Sequence, residues 1–274
     1  ITEKDGAAFA AELLRAERSA ATVAKYRREA EAFARWLEGR AMSQDLAVAY
    51  KAQLVQERTA AGVNGAVAAL NQFFSFLGLS NCRLKAVRVQ RRTFRDSGRE
   101  LSQGEYKRLL AAAGRRDRRL LLVMETICAT GIRVSELRFF TLEAVRAGKA
   151  VVTNKGKTRD VYLPGKLRRL LLDYAKERGV IAGPVFVTRG GKPLDRSNLW
   201  RAMKRLCALA GVAAKKVFPH NLRHLFARTY YALEKDVVRL ADILGHSNIN
   251  TTRIYTLDTG ETHRRRLDRL QLLL

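Results

Sequence analysis

The sequence predicts a mainly α protein in two parts: an N-terminal helical bundle, then a mixed α+β domain with a small antiparallel hairpin. Three observations carry this. Apolar residues recur at three-to-four spacing over most of the 274 residues, as one buried helix face requires. One central stretch, Lys149 to Leu163, instead has β-like sequence around a Gly-containing turn. Between the first helices and the rest lies an arginine-rich run with no apolar period.

The first 80 or so residues read as helical. Thr22 can cap a helix with Val23, Tyr26, Ala30, Phe33 and Leu37 on one face, stopped by Gly39. Ser43 caps a second, with Leu46, Ala49, Tyr50, Leu54 and Val55 expected inward and Gly62 as its end. A third runs from about Val63 to Leu77. Short helices joined by short loops make a bundle, here residues 1–86, with Arg27, Arg28, Arg35, Lys51 and Arg58 on its polar faces. Residues 87–99 hold Arg88, Arg91, Arg92, Arg95 and Arg99 and read as a basic linker.

The second domain, 100–259, opens with a helix from Ser102 through Leu109–Ala113 and an apolar helix from Leu120 to Thr130, stopped by Gly131. Strands Lys149–Asn154 and Arg159–Leu163 flank a turn, Lys155 to Thr158, and Pro164 closes the hairpin. Helices follow over Leu167–Arg178, Asp195–Leu209, His220–Leu233, Asp236–Leu244 and Thr251–Leu257, with a short strand at Pro184–Thr188. The tail, 260–274, places Leu267, Leu270, Leu273 and Leu274 on one face of an amphipathic helix.

Composition narrows the function. A hydrophobic fraction of 47% excludes a disordered chain. No run nears the roughly 18 apolar residues of a membrane span, and Ile1–Leu14 carries Glu3, Lys4, Asp5 and Glu12 where a signal peptide would be apolar. Cys82, Cys128 and Cys207 are too widely spaced for a zinc site or a disulfide framework and read as reduced cytosolic thiols. Lys and Arg total 52 against 26 acidic residues, a net charge of +26. Such an excess repels itself and calls for a polyanionic partner. The basic residues recur along the whole chain, so nucleic acid lying across a folded surface fits better than a charged tail.

Three polar segments stand where helices would prefer apolar residues: Thr130-Gly131-Ile132-Arg133-Val134-Ser135-Glu136-Leu137, Pro219-His220-Asn221-Leu222-Arg223-His224, and Leu244-Gly245-His246-Ser247-Asn248 followed by Thr251-Thr252-Arg253-Ile254-Tyr255. Singly, each has a bland reading as a cap, a surface charge or a core aromatic. Together they suit metal-free attack on a phosphodiester. Arginines bind non-bridging oxygens with two prongs and stay charged, which stabilises charge as it accumulates in the transition state. A tyrosine supplies the nucleophile, but its pKa near 10 demands a base or a positive field. Histidine can be that base and lysine can protonate the leaving 5′ oxygen. A metal route would need clustered carboxylates, and none stands at these positions.

These segments resemble the tyrosine recombinase, or phage integrase, family, with its Xer branch among the nearest. The resemblance covers residues 100 to 257 most strongly and extends more weakly to the N-terminal bundle, which is similar to the family's core-binding domain. It implies that Arg133 and Arg223 are the catalytic arginines and that Tyr255 is the nucleophile. It implies further that His220 assists proton transfer, His246 hydrogen-bonds the phosphate and Glu136 buttresses the site. His224 reads as a helix-packing residue. The family's hairpin usually reads Lys-Gly-x-Lys; here Lys155-Gly156-Lys157 is one residue shorter. Lys155 is the preferred general acid, with Lys157 the other candidate.

The implied function is site-specific recombination of double-stranded DNA through a 3′-phosphotyrosyl link and a Holliday junction, without cofactor or metal. The implied assembly is a homo-oligomer, a tetramer on two DNA sites, compatible with a monomer in solution. The tail helix would dock on a neighbouring protomer. Arg88, Arg91, Arg92 and Arg95 are expected on the DNA backbone, and the protein is expected in the cytoplasm, associated with the nucleoid. Two rivals stay open at this point: a type IB topoisomerase, and a DNA-binding protein that keeps the fold without the chemistry.

Overall fold

The computed structural model describes residues 1–89, 97–154, 156–188, 190–257, 264–265 and 267–270. The chain divides into two compact units, residues 1–91 and 92–274.

The first unit is a bundle of α1 (Glu3–Arg15), α2 (Ala20–Leu37), α3 (Gln44–Glu57) and α4 (Ala60–Phe76). Helix α1 is an addition to the sequence reading. Thr2 and Asp5 form a capping box at its start, with the Thr2 N–H donating to Asp5 Oδ2 at 2.6 Å. Its buried residues Phe9, Ala10 and Leu13 join the bundle core. Hydroxyls of Ser19, Ser43 and Thr59 cap the next three helices. Because Thr59 accepts from the Gly62 N–H, Gly62 lies in the first turn of α4 and does not end α3 as expected. Helix α3 buries Ala47, Tyr50 and Leu54, one face at i, i+3 and i+7; Ala49 and Val55, expected inward, are exposed. Phe33 meets Tyr50 and Phe74 edge-on at the centre, and each such fully buried aromatic contributes roughly 2–3 kcal/mol. Arg58, expected on a polar face, turns back to donate to the buried Glu29 at 2.8 Å.

After α4 the chain laces back along it. Asn71 accepts from the Leu84 N–H at 2.8 Å and donates to the Leu84 carbonyl at 2.9 Å. Asn64 does the same to Val87, at 2.7 and 3.0 Å. Seven helical residues advance about 10.5 Å, and three extended residues cover about 10 Å, so the two pairs come into register. The expected linker therefore begins attached to the bundle at Val87. Arg88 beyond it is exposed; Arg91, Arg92 and Arg95 lie outside the described residues.

The second unit carries α5 (Gln103–Gly114), α6 (Arg118–Thr130), a 3₁₀ segment (Val134–Phe139), α7 (Leu142–Ala147), β1 (Lys149–Asn154), β2 (Lys157–Tyr162), α8 (Gly165–Glu177), α9 (Arg196–Arg205), α10 (Cys207–Ala210), α11 (Pro219–Glu234), α12 (Val237–Leu244) and two further 3₁₀ turns, Ile249–Thr251 and Arg253–Tyr255. Helix α6 is central, burying Leu122, Val123, Met124 and Ile127 and packing along α11. Among the described residues the hairpin is the sole sheet, antiparallel, with Val152 opposite Arg159 and Asn154 opposite Lys157.

Several elements differ from expectation. Asn154 pairs with Lys157, so β2 starts at Lys157 rather than Arg159. Gly156 takes φ +74, a left-handed conformation that suits glycine. Pro184–Thr188 forms no strand; Pro184 and Val187 make isolated bridges, to Thr141 and Pro193. The helix expected over Asp195–Leu209 splits into α9 and α10, and that over Thr251–Leu257 is a pair of 3₁₀ turns. The short helix α7, capped by Thr141, is also an addition. Leu267 and Leu270 in the tail are exposed; Leu273 and Leu274 lie outside the described residues. No helix among the described residues is long and apolar enough to cross a membrane.

Candidate active site

Five chain segments of the second unit converge on one cleft: the turn after α6, the hairpin, the start of α9, the start of α11, and the end of α12 with the 3₁₀ turns beyond it. One lobe of the cleft is lined by Arg133, Arg196, His220 and Arg223. The other is lined by Arg133, Lys157, Arg159, Gly245 and His246. Arg133 belongs to both.

Arg223 is the anchor. It stands on α11 three residues after His220 and is 1% exposed. Its Nη1 donates to the Gly131 carbonyl at 2.7 Å and its Nη2 to the Leu244 carbonyl at 2.6 Å. These oxygens lie at the C-terminal ends of α6 and α12, where helices leave carbonyls without intrahelical partners and carry negative partial charge. Two helix ends thus hold a guanidinium that no carboxylate contacts directly among the described residues. Burial, and then the nearby charge of Arg133, lower its pKa to about 10, so it stays protonated at neutral pH. Its Nε is buried without a hydrogen-bond partner. A buried orphan donor costs about 1–3 kcal/mol, a cost that an incoming anionic oxygen removes.

The close approach of α6 and α11 requires Gly131. Its φ is +67, and a Cβ there would lie 2.4 Å from Cδ1 of Phe226. The chain then turns outward to Arg133. Glu136, 1% exposed, receives the Arg133 N–H at 2.8 Å and Arg133 Nη1 at 3.0 Å. Arg159 adds a second two-pronged contact, Nη1 at 3.1 Å and Nη2 at 2.8 Å. Burial alone would raise the Glu136 pKa; the bonds from Arg159 and Arg133 overcome it and hold the carboxyl at about 2.

His246 follows Gly245, the left-handed cap of α12. Its Nε2 lies 3.0 Å from Arg223 Nη2 and its Nδ1 2.8 Å from Thr252 Oγ1. Arginine only donates, so Nε2 accepts and Nδ1 carries the proton that Thr252 receives. Burial, then Arg223, pull its pKa to about 4, which keeps the ring neutral. The His220 pKa is also lowered, first by partial burial of the ring and then by the charges of Arg223, Arg196 and Arg133, although the residue as a whole is exposed.

Tyr255 is 6% exposed and packs against Ala227, Leu240 and Leu244. Burial raises its pKa, while Arg223, Arg133 and Arg228 pull the other way. The His224 ring stands edge-on to Tyr255 at 5.1 Å between centroids and to His220 at 4.4 Å. His224, expected to pack helices, therefore packs the tyrosine itself. Its Nε2 is buried without a hydrogen-bond partner, and burial, then His220, hold its pKa at about 3.

The structure thus gathers Arg133, His220, Arg223 and His246 on the cleft, with Glu136 and Tyr255 buried beside them. Lys155 lies outside the described residues, while Lys157 is exposed on the cleft wall. Sequence reasoning missed Arg159, Thr252 and Arg196. For Arg159 a signal existed: strand alternation puts positions 159, 161 and 163 inward, and a charge at an inward position implies a buried partner. Among the described residues no group of three His, Cys, Asp or Glu side chains could hold a metal ion.

Residues 99–261 match the phage integrase family. The tyrosine recombinase XerD of Xanthomonas axonopodis pv. citri is 33% identical over 270 residues, 86% of each chain. Two crystal structures share the fold. One is the XerH site-specific recombinase bound to its difH substrate before cleavage, at TM-score 0.70 and 21% identity over 88% of this chain and 78% of that one. The other is a lambda integrase tetramer bound to a Holliday junction, at TM-score 0.72 and 18% identity over 90% and 74%.

Proposed function

The chain belongs to the phage integrase family and is a tyrosine-type site-specific recombinase, and from that premise we propose how its residues divide the reaction. A DNA phosphate enters the cleft with its non-bridging oxygens toward Arg133, the Nε–H of Arg223 and the His246 side. Tyr255 Oη attacks phosphorus and gives its proton to His220. The P–O5′ bond breaks, and the leaving oxygen takes a proton from Lys155. The product is a 3′-phosphotyrosyl link and a free 5′ hydroxyl. A 5′ hydroxyl from the partner duplex reverses these steps and joins the exchanged strands. The bond energy stays in the covalent link, so no external energy source is needed.

One observation carries this reading: a buried, charged arginine with an orphan donor lies beside a neutral histidine, and its field reaches a buried tyrosine. His220 can accept a proton at neutral pH because burial and the neighbouring arginine charges hold it below the ordinary histidine range. The net charge of +26 supplies the affinity for duplex DNA. By analogy with its relatives, the protein works as a tetramer on two sites and passes through a Holliday junction, in the nucleoid of the cytoplasm, with the tail of one protomer seated on the next.

The test is a DNA duplex nicked close to the cleavage point, which traps the covalent adduct. Wild-type chain should give a denaturation-resistant protein–DNA species, and Tyr255→Phe should bind equally and give none. An adduct from Tyr255→Phe would move the nucleophile to another tyrosine.

A further inference from the structure

We propose that Arg159 is a positioning residue that sets Arg133 and His246 in place together. This rests on the strand-transfer reading above, in which both groups face the phosphate.

The geometry is specific. Arg159 sits on β2 opposite Val152, with its side chain turned inward. Its two Nη atoms grip both oxygens of Glu136, the carboxylate that holds Arg133 by its backbone N–H and its guanidinium. Its Nε donates to the Ile243 carbonyl at 3.0 Å, three residues before His246. A Cβ on Gly245 would lie 3.0 Å from Arg159 Nη1, so the left-handed turn that delivers His246 is built against this guanidinium. One planar fork therefore fixes two distances: hairpin to the Arg133 turn, and hairpin to the end of α12. Lysine has no such fork. Its single ammonium cannot span Glu136 and the Ile243 carbonyl with the same three bonds. Three of the five Arg159 N–H donors are committed to protein oxygens, so the residue acts on the phosphate through these neighbours.

The experiment compares full-length wild type, Arg159→Met and Arg159→Lys on three nicked substrates. These carry an ordinary phosphate, a methylphosphonate, in which a methyl group replaces one non-bridging oxygen and removes the charge, or a bridging 5′ sulfur, which leaves without needing a proton. Misplacing catalytic groups by about 1 Å costs about 100-fold, so adduct formation by Arg159→Met on ordinary DNA should fall about 100-fold while DNA affinity holds. On the methylphosphonate the loss should shrink to less than about tenfold, because less charge awaits the displaced groups. The sulfur substrate should not restore the rate, because protonation of the leaving group is not what has failed. Arg159→Lys, which keeps the charge and guards against a folding failure in the Met variant, should remain at least about tenfold slow.

Equal losses of Arg159→Met on phosphate and methylphosphonate would overturn the proposal. So would recovery on the sulfur substrate, which would place Arg159 in the service of Lys155, or full activity of Arg159→Lys. If wild type forms no adduct on any substrate, the strand-transfer reading fails instead. If wild type and Arg159→Met react alike, only the positioning role fails.

Discussion

Replacing Glu136 by Gln tests the charge arrangement at the centre of the site. Gln keeps the shape and mimics the protonated acid. The carboxyl is held at about 2 against an ordinary 4.5. The difference of about 2.5 units, at about 1.4 kcal/mol per unit, makes the ionised form worth roughly 3 kcal/mol of stability at pH 7. Glu136 is 1% exposed, so solvent screens little of this. In the second unit, a loss of that size lowers the unfolding midpoint by about 6–12 °C. The sign follows from a depressed folded-state pKa. The contribution is complete above about pH 4.5 and fades as pH falls toward 2. Wild type and Glu136→Gln should therefore differ by about 3 kcal/mol in urea unfolding at pH 7 and converge at low pH. A difference below about 1 kcal/mol at pH 7, or one unchanged at pH 3, would refute the claim that Arg133 and Arg159 are held by charge.

Other perturbations have equally definite outcomes. Gly131→Ala combines a left-handed φ with a collision against Phe226, and should cost about 2–4 kcal/mol; an unfolding midpoint equal to wild type would contradict the close packing of α6 on α11. Lys155→Ala should slow cleavage of ordinary DNA and be rescued by a bridging 5′ sulfur, whereas rescue of Lys157→Ala alone would transfer the general-acid role to the residue on the cleft wall. Replacing Arg91, Arg92 and Arg95 by Ala should flatten the dependence of log affinity on log salt and weaken all DNA sequences alike; a loss confined to the recombination site would show that this segment reads bases.

How much could be read in the sequence depended on whether the signal was local. Helices announced themselves by caps and spacing, as at Ser43 and Ser102, and the sharp turns by Gly131 and Gly245. Helix α1 was overlooked because its cap is a Thr2–Asp5 pair and four of its seven apolar residues are alanines, too small to mark one face. The expected Thr251–Leu257 helix failed because the Thr252 hydroxyl is committed to His246, and its neighbours hydrogen-bond at i to i+3 spacing. In the site, the motif residues were legible as types at fixed spacing. Their partners were not. Arg159 bonds Ile243 across 84 positions and Glu136 across 23, and Arg223 reaches Gly131 across 92. Only folding makes such pairs neighbours. The contact of His224 with Tyr255 was hidden for the same reason.

The lacing of Asn64 and Asn71 onto Val87 and Leu84 has a consequence for how the chain yields to force and to solvent. A helix flank has no spare backbone donors, so an extended strand cannot pair with it directly. Two carboxamides here act as a counterfeit sheet edge, two rungs long. An amide held in such a rung exchanges its hydrogen only when the rung opens, so Leu84 and Val87 will exchange as slowly as helical residues while belonging to no helix. A pull from downstream meets the rungs in series: Val87 parts from Asn64 first, and Leu84 stays until that has happened. Asn64→Ala would release Val87 and the two residues between the rungs, and no more. The point at which the chain leaves the bundle is thus set by two side chains of α4.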